Sequence, residues 1–235
     1  MKKVDWIGML PFYLLAAIIC IGAAVWGSDS VTAAVQNGPV SRDHTIVIDA
    51  GHGGVDGGAI SCTGMPESHI NLQIALRLDD LLHLLGYDTV MIRRTDDSVY
   101  TEGNTIAAKK VSDLKQRVKI VNETENAVLI SIHQNTFPDS RYSGAQVFYA
   151  DTQGSRFLAE GLQQAFNHAL SGSTRQPKPA NSVYLMKNIR ATGVLIECGF
   201  LSNPQEEAKL RNAKYQQKLC CVIASALREF FTCNG

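Results

Sequence analysis

Two histidines and two carboxylates sit where a strand-and-helix chain can bring them onto one substrate: His52, Glu67, His133 and Glu197. His52 lies in TIVIDAGHGGVDGG, where apolar residues end at Asp49 and four glycines fall in the seven positions 51–57. An apolar strand that empties into a glycine-rich loop with one coordinating side chain is a common way to place an α/β site, at the carboxyl end of a strand. Glu67 follows Pro66 at the start of an amphipathic run, which makes it a first-turn carboxylate beside that same loop. His133 closes the apolar segment around AVLIS, and Glu197 closes GVLIE. Two histidines and a carboxylate with an open fourth position form a catalytic zinc set, and Glu197 is then free to act on a metal-bound water. The residues alone leave the ligand set open, because His44, His69, His83 and His168 are also present. His83 and His168 fall on helices. His69 is the main rival, but it and Glu67, two positions apart, lie on different sides of a helix. The loop has no GK[ST] ending, so it does not read as a phosphate cradle. No CxxC occurs, which removes support for a thiolate zinc site.

The elements that must position these groups follow from periodicity. Thr45 to Asp49 reads as the first strand. Pro66 in the opening turn, apolar residues at 70, 74, 78, 81 or 82 and 85, and Gly86 beyond the last turn describe a helix of about five turns. Asp88 to Arg93 is a second strand, and Thr95 to Lys110 a polar loop beside the cleft. Val111 to Asn122 is helical, with Leu114, Val118 and Val121 on one face. In the strand Asn126 to Ile132, Leu129, Ser131 and His133 share one side. Gly144 to Tyr149 is a strand, Ser155 to Leu170 a helix, and Val183 to Met186 an edge strand or a turn of structure. In the last interior strand, Gly193 to Glu197, alternation turns Cys198 away from any site that Glu197 faces. Pro204 opens a helix, and Tyr215 to Phe230 forms the last one. Such alternation predicts an α/β fold, a three-layer sandwich with a central mostly parallel or mixed sheet flanked by helices.

The 235 residues suit one domain plus a terminal extension. With 22 basic and 22 acidic side chains the net charge is zero, which offers no field for a nucleic-acid backbone. Met1-Lys2-Lys3 precedes an apolar run from Trp6 to Trp26, so residues 1–27 read as a signal peptide or membrane anchor. Lys2 and Lys3 place the domain on the far side of the membrane. Residues 28–43 are a polar, period-free linker, and 44–235 the catalytic domain. Cysteines 62, 198, 220, 221 and 233 are spaced irregularly and give little support to a disulfide framework.

Five ordered blocks carry a likeness: IDAGHGGVDGGAI, PESHINLQIALRLDDLL, MIRRTDD, ISIHQN and VLIECGFLSNPQEEAKL. Over the stretch from His44 to Phe231 the chain resembles the zinc-dependent N-acetylmuramoyl-L-alanine amidases of the amidase 3 type. The resemblance implies that His52, Glu67 and His133 hold one zinc ion and that Glu197 is the catalytic carboxylate. Arg94, Gln134 and Asn135 become candidate substrate contacts. Ala50, Gln134 and Cys198 depart from the family's usual residues, and none of these departures removes a ligand.

The insertion ending in SDLKQRVKIVN, together with SGAQVFYA and NSVYLMKN, is most similar to the germination-specific, CwlD-type amidases of endospore formers. That likeness implies cleavage of the bond between the lactyl group of N-acetylmuramic acid and L-alanine in spore cortex peptidoglycan, a step towards muramic-δ-lactam. It further implies glycan strands with stem peptides as substrate and coupling to a muramic acid deacetylase; apart from the likeness, a core this small is expected to gain from a protein partner that stabilises the metal site. The expected location is across the membrane, in the space between the forespore membranes. Two other readings are a cell-wall zinc peptidase of the carboxypeptidase type and a non-catalytic peptidoglycan-binding module.

Overall fold

The computed structural model describes residues 43–171 and 174–234. The signal or anchor segment expected at 1–27, and all but the last residue of the linker, lie outside them. Among the described residues no helix is long and apolar enough to cross a membrane.

The chain alternates β1 (Thr45–Ala50), α1 (Glu67–Leu84), β2 (Asp88–Met91), α2 (Ile106–Glu123), β3 (Ala127–Asn135), β4 (Gln146–Tyr149), α3 (Ser155–Phe166), β5 (Lys178–Pro179), α4 (Tyr184–Asn188), β6 (Thr192–Phe200), α5 (Pro204–Leu210) and α6 (Ala213–Asn234). The six strands form one sheet in the order β2-β1-β3-β6-β4-β5. All neighbours are parallel except β4 and β6, so the sheet is mixed.

Strand alternation divides the core in two. Ile46, Ile48, Val128, Ile130, Val194 and Ile196 face one side, where Ile70, Ile74 and Leu78 of α1, Leu158 and Leu162 of α3, and Leu219, Ile223 and Leu227 of α6 cover them. Val47, Leu129 and Leu195 face the other side, against Val121 of α2 and Leu185, Met186 and Ile189 around α4. Each central strand is buried on both faces, as parallel strands covered by helices must be. The result is the three-layer sandwich expected from the alternation of elements.

Two elements differ from their sequence reading. α2 starts at Ile106 and not near Val111, because the Thr105 hydroxyl caps it by accepting from the Ala108 N–H at 3.2 Å. That shortens the loop before it. The segment around Val183 to Met186 is helical at Tyr184–Asn188. Leu185, Met186 and Ile189 are all buried, and a helical turn puts three residues so spaced onto one core where strand alternation would separate the first two.

Register brings the chemistry to one edge. Asp49 pairs with Ser131, and His133 with Glu197, so the carboxyl ends of β1, β3 and β6 lie side by side. Cys198 points into the larger core, fully buried, as alternation predicted. Burial pushes its thiol well above the ordinary range.

Candidate metal centre at the strand ends

His52 arrives from the loop after β1, Glu67 from the first turn of α1, and His133 from β3. One ligand atom from each lies within 4.8 Å of the others, with Glu67 buried and both imidazoles partly open. Glu67 stands between the two rings. Its Oε1 is 3.0 Å from His133 Nδ1, and its Oε2 is 3.4 Å from His52 Nε2. The carboxylate is also held by the N–H groups of Ala59 and Gln134, each at 3.0 Å, and by the Asn71 amide at 3.1 Å. Burial by itself would raise its pKa, but the His133 contact, the charges of both histidines and the Ala59 N–H hold it down at about 2. For His133, burial opposes the protonated form, while Glu67 and Glu197 outweigh burial and raise its pKa. A field that favours a proton there favours any cation.

Glycine makes room for these rings. A Cβ on Gly51 would lie 2.2 Å from the His133 ring, and one on Gly58 would lie 2.6 Å from Glu67 Oε2 and 2.7 Å from the His52 ring. Gly58 also needs its φ of 71°. His52 is itself left-handed at φ 61°, a conformation that costs a non-glycine residue about 1–3 kcal/mol and persists only where the surroundings enforce it.

Two buried arginines enforce it. Arg117 of α2 donates to His52 O at 2.8 Å and to Ala50 O at 3.1 Å, while pairing with Asp49 and, at 2.6 Å, with Asp113. Arg93 donates to Ala50 O at 2.8 Å, to Gly51 O at 3.2 Å and to Ser68 O at 2.9 Å. Asp56 completes the support: its Oδ2 is 3.1 Å from His52 Nδ1 and its Oδ1 is 2.8 Å from Lys110 Nζ. A carboxylate behind a ligating imidazole fixes its ring orientation and tautomer.

Glu197 is the register partner of His133, and its Oε2 is buried with no hydrogen-bond partner. Burial pushes its carboxyl up to about 7; the His133 charge opposes the rise and the Glu67 charge adds to it.

The other sequence candidates are placed differently. Arg94 pairs with Asp79 of α1 at 2.6 Å. Gln134 is buried, its amide donating to Asn71 Oδ1 at 3.1 Å, and the Asn135 carbonyl accepts from the Leu201 N–H. His69 is exposed and lies 2.9 Å from Asp96, outside the trio. Sequence reasoning missed Asp49, Asp56, Arg93 and Arg117. A signal existed for two of them: Asp49 shares a strand face with the buried Val47, and Arg117 falls on the Leu114/Val121 face of its helix. A charge in either position needs a buried partner.

The family model described as N-acetylmuramoyl-L-alanine amidase matches residues 46–229. The chain belongs to that amidase family. The amidase is 38% identical over 192 residues to the germination-specific N-acetylmuramoyl-L-alanine amidase of Bacillus subtilis, a match covering 81% of each chain. Among solved structures it is similar to the CwlD amidase from Clostridioides difficile in complex with the GerS lipoprotein. That similarity has 36% identity and a TM-score of 0.77, and covers 81% of this chain and 99% of that one. An N-acetylmuramoyl-L-alanine amidase from Clostridium difficile 630 follows, at 30% identity and a TM-score of 0.72, covering 83% of this chain and 100% of that one.

Proposed function

We propose that this amidase hydrolyses the amide between the lactyl group of N-acetylmuramic acid and L-alanine of the stem peptide, with one zinc ion held by His52, Glu67 and His133 and with Glu197 as the catalytic carboxylate. The observation that carries the reading is the convergence of those three ligands beside Glu197 in a chain of the amidase family. The donor set fits zinc: two imidazoles and one carboxylate leave a fourth position open. The orphaned Glu197 Oε2 and the glycines under both rings fit a cation and a bulky substrate in the same place.

Zinc bound there supplies a Lewis acid for the scissile carbonyl and lowers the pKa of a coordinated water. Glu197 takes the proton of the attacking water and returns it to the alanine nitrogen, because an amine leaves only when protonated. Asp56 holds the His52 ring, and Arg117 and Arg93 hold the backbone that presents it. Glu67, kept anionic by three donors, remains a ligand over the whole neutral range.

The germination-specific relative favours spore cortex as the substrate; cleavage there would be a step towards muramic-δ-lactam, coupled to a deacetylase. A protein partner would help this chain to hold its metal, and the CwlD structure in complex with the GerS lipoprotein supports the existence of a partner. Export by the apolar segment near the amino terminus, as a cleaved signal or an anchor, would bring the enzyme to the cortex between the forespore membranes. Replacing Glu197 by glutamine tests the core of the reading. Zinc content should stay stoichiometric, while release of peptides with a free amino-terminal L-alanine falls by a factor on the order of 10²–10⁴. A fully active variant would remove Glu197 from the mechanism. Products shortened at the carboxyl end would instead mark a carboxypeptidase.

A further inference from the structure

A cleft of about 230 Å³ opens beside His52 and His133 and runs along the sheet face covered by α2 and α4. One wall is apolar, from Leu114, Val183, Leu185 and Leu195, with the half-exposed ring of Tyr184 at its rim. The other wall carries charge. Of the two cationic side chains lining it, Arg117 is 3% exposed and committed to Asp49, Asp113 and backbone carbonyls. Lys110 is 47% exposed, and its ammonium meets Asp56 at 2.8 Å. An ammonium has three donors, so Lys110 keeps donors for an anion entering the cleft.

Its distance from the metal trio is set by one side chain, since Asp56 bridges Lys110 to His52 Nδ1. A peptide leaving the scissile amide advances roughly 3.5 Å per residue. A stem peptide that ran from the trio along this cleft, with L-alanine at the trio, would carry its second residue towards Lys110. In a stem peptide that residue is a γ-linked D-glutamate, whose α-carboxylate is free or, in some walls, amidated.

We propose that Lys110 binds the free α-carboxylate of this second residue and makes the cleft selective for D-glutamate over its α-amide. The proposal rests on the amidase reading and adds the side chain that reads the peptide. A lysine–carboxylate contact is charge-assisted, whereas an α-amide offers only a neutral oxygen.

The experiment uses two soluble disaccharide tripeptides that differ only in an α-carboxyl or α-carboxamide at the second residue. The zinc-loaded wild-type chain is expected to show a kcat/KM about tenfold higher for the acid, expressed in KM. Lys110→Gln should lower kcat/KM for the acid about tenfold more than for the amide, so that the preference is lost, while Lys110→Arg should keep the preference. Equal loss on both substrates in Lys110→Gln would mean that Lys110 acts only through Asp56 and His52, and would overturn the proposal. Absence of any preference in the wild type would overturn it as well. Cleavage of neither substrate would refute the amidase reading itself, and this proposal with it.

Discussion

Arg117 is the side chain whose loss should be felt most widely. Its guanidinium is buried, as is the Asp49 carboxylate it meets, and it also holds Asp113 and two carbonyls of the His52 loop. Arg117→Met preserves much of the volume but leaves Asp49 in the sheet with Ser131 as its remaining donor. Removing one partner of a buried ion pair costs about 3–5 kcal/mol. Domains have only about 5–15 kcal/mol in total. At a urea slope of about 2 kcal/mol per M, a loss of 4 kcal/mol lowers the unfolding midpoint by about 2 M. The measurement belongs on metal-free protein, where ligand binding adds nothing to stability. Neutralising the partner as well should recover part of the loss. The Asp49→Asn/Arg117→Met double variant is expected to be more stable than the sum of the single effects by about 1–3 kcal/mol. The unrecovered part belongs to the Asp113 contact and to the Ala50 and His52 carbonyls, the carbonyls at about 1 kcal/mol each. Because Arg117 enforces the left-handed His52, zinc affinity should fall about 10–100-fold in Arg117→Met and less in Asp49→Asn. A single-variant cost below about 1 kcal/mol, or losses that add to within about 0.5 kcal/mol, would refute this reasoning.

Gly51→Ala places a Cβ against the His133 ring, so zinc affinity should drop at least about tenfold with the fold retained; titration against a competing chelator reads this, and unchanged affinity would contradict the packing. His69→Ala should keep stoichiometric zinc, since His69 pairs with Asp96 outside the trio; loss of metal by elemental assay would overturn the ligand set. Stability should depend on pH through Asp49. Burial alone would raise its pKa, but Arg117, His133 and the Ser131 hydroxyl hold it below its ordinary value of 3.8. The folded state then binds that proton less readily than the unfolded chain, so the stabilisation is complete above about pH 4 and is lost as the pH falls through the folded value. Urea midpoints between pH 7 and 2.5 should show a shallower acid limb for Asp49→Asn, and an unchanged limb would contradict the assignment.

Much of the fold, and the residues of the candidate site, were legible in the chain itself. Strand and helix periods are local properties, and they place β1, α1, β3, β6 and α6 because each buries an apolar face of matching period. His52, Glu67, His133 and Glu197 stood out for a related reason: His133 and Glu197 close apolar runs, His52 lies in the glycine loop just beyond one, and Glu67 opens the helix that follows that loop. What joins them is long-range. The pairing of His133 with Glu197 and the passage of Glu67 between two imidazoles depend on strand order and register, which no local pattern encodes. Arg93 and Arg94 show the limit most plainly. They are adjacent and alike in sequence, yet one donates to the carbonyls of Ala50, Gly51, Ser68 and Thr95 and the other reaches Asp79 of α1. Helix capping by Thr105 and the burial of Leu185 beside Met186 were likewise decided in three dimensions. The chain by itself determined the chemistry at the strand ends. Tertiary structure decided which side chains hold that chemistry in place, because a buried arginine is defined by the carbonyls and carboxylates that surround it and not by its neighbours in sequence.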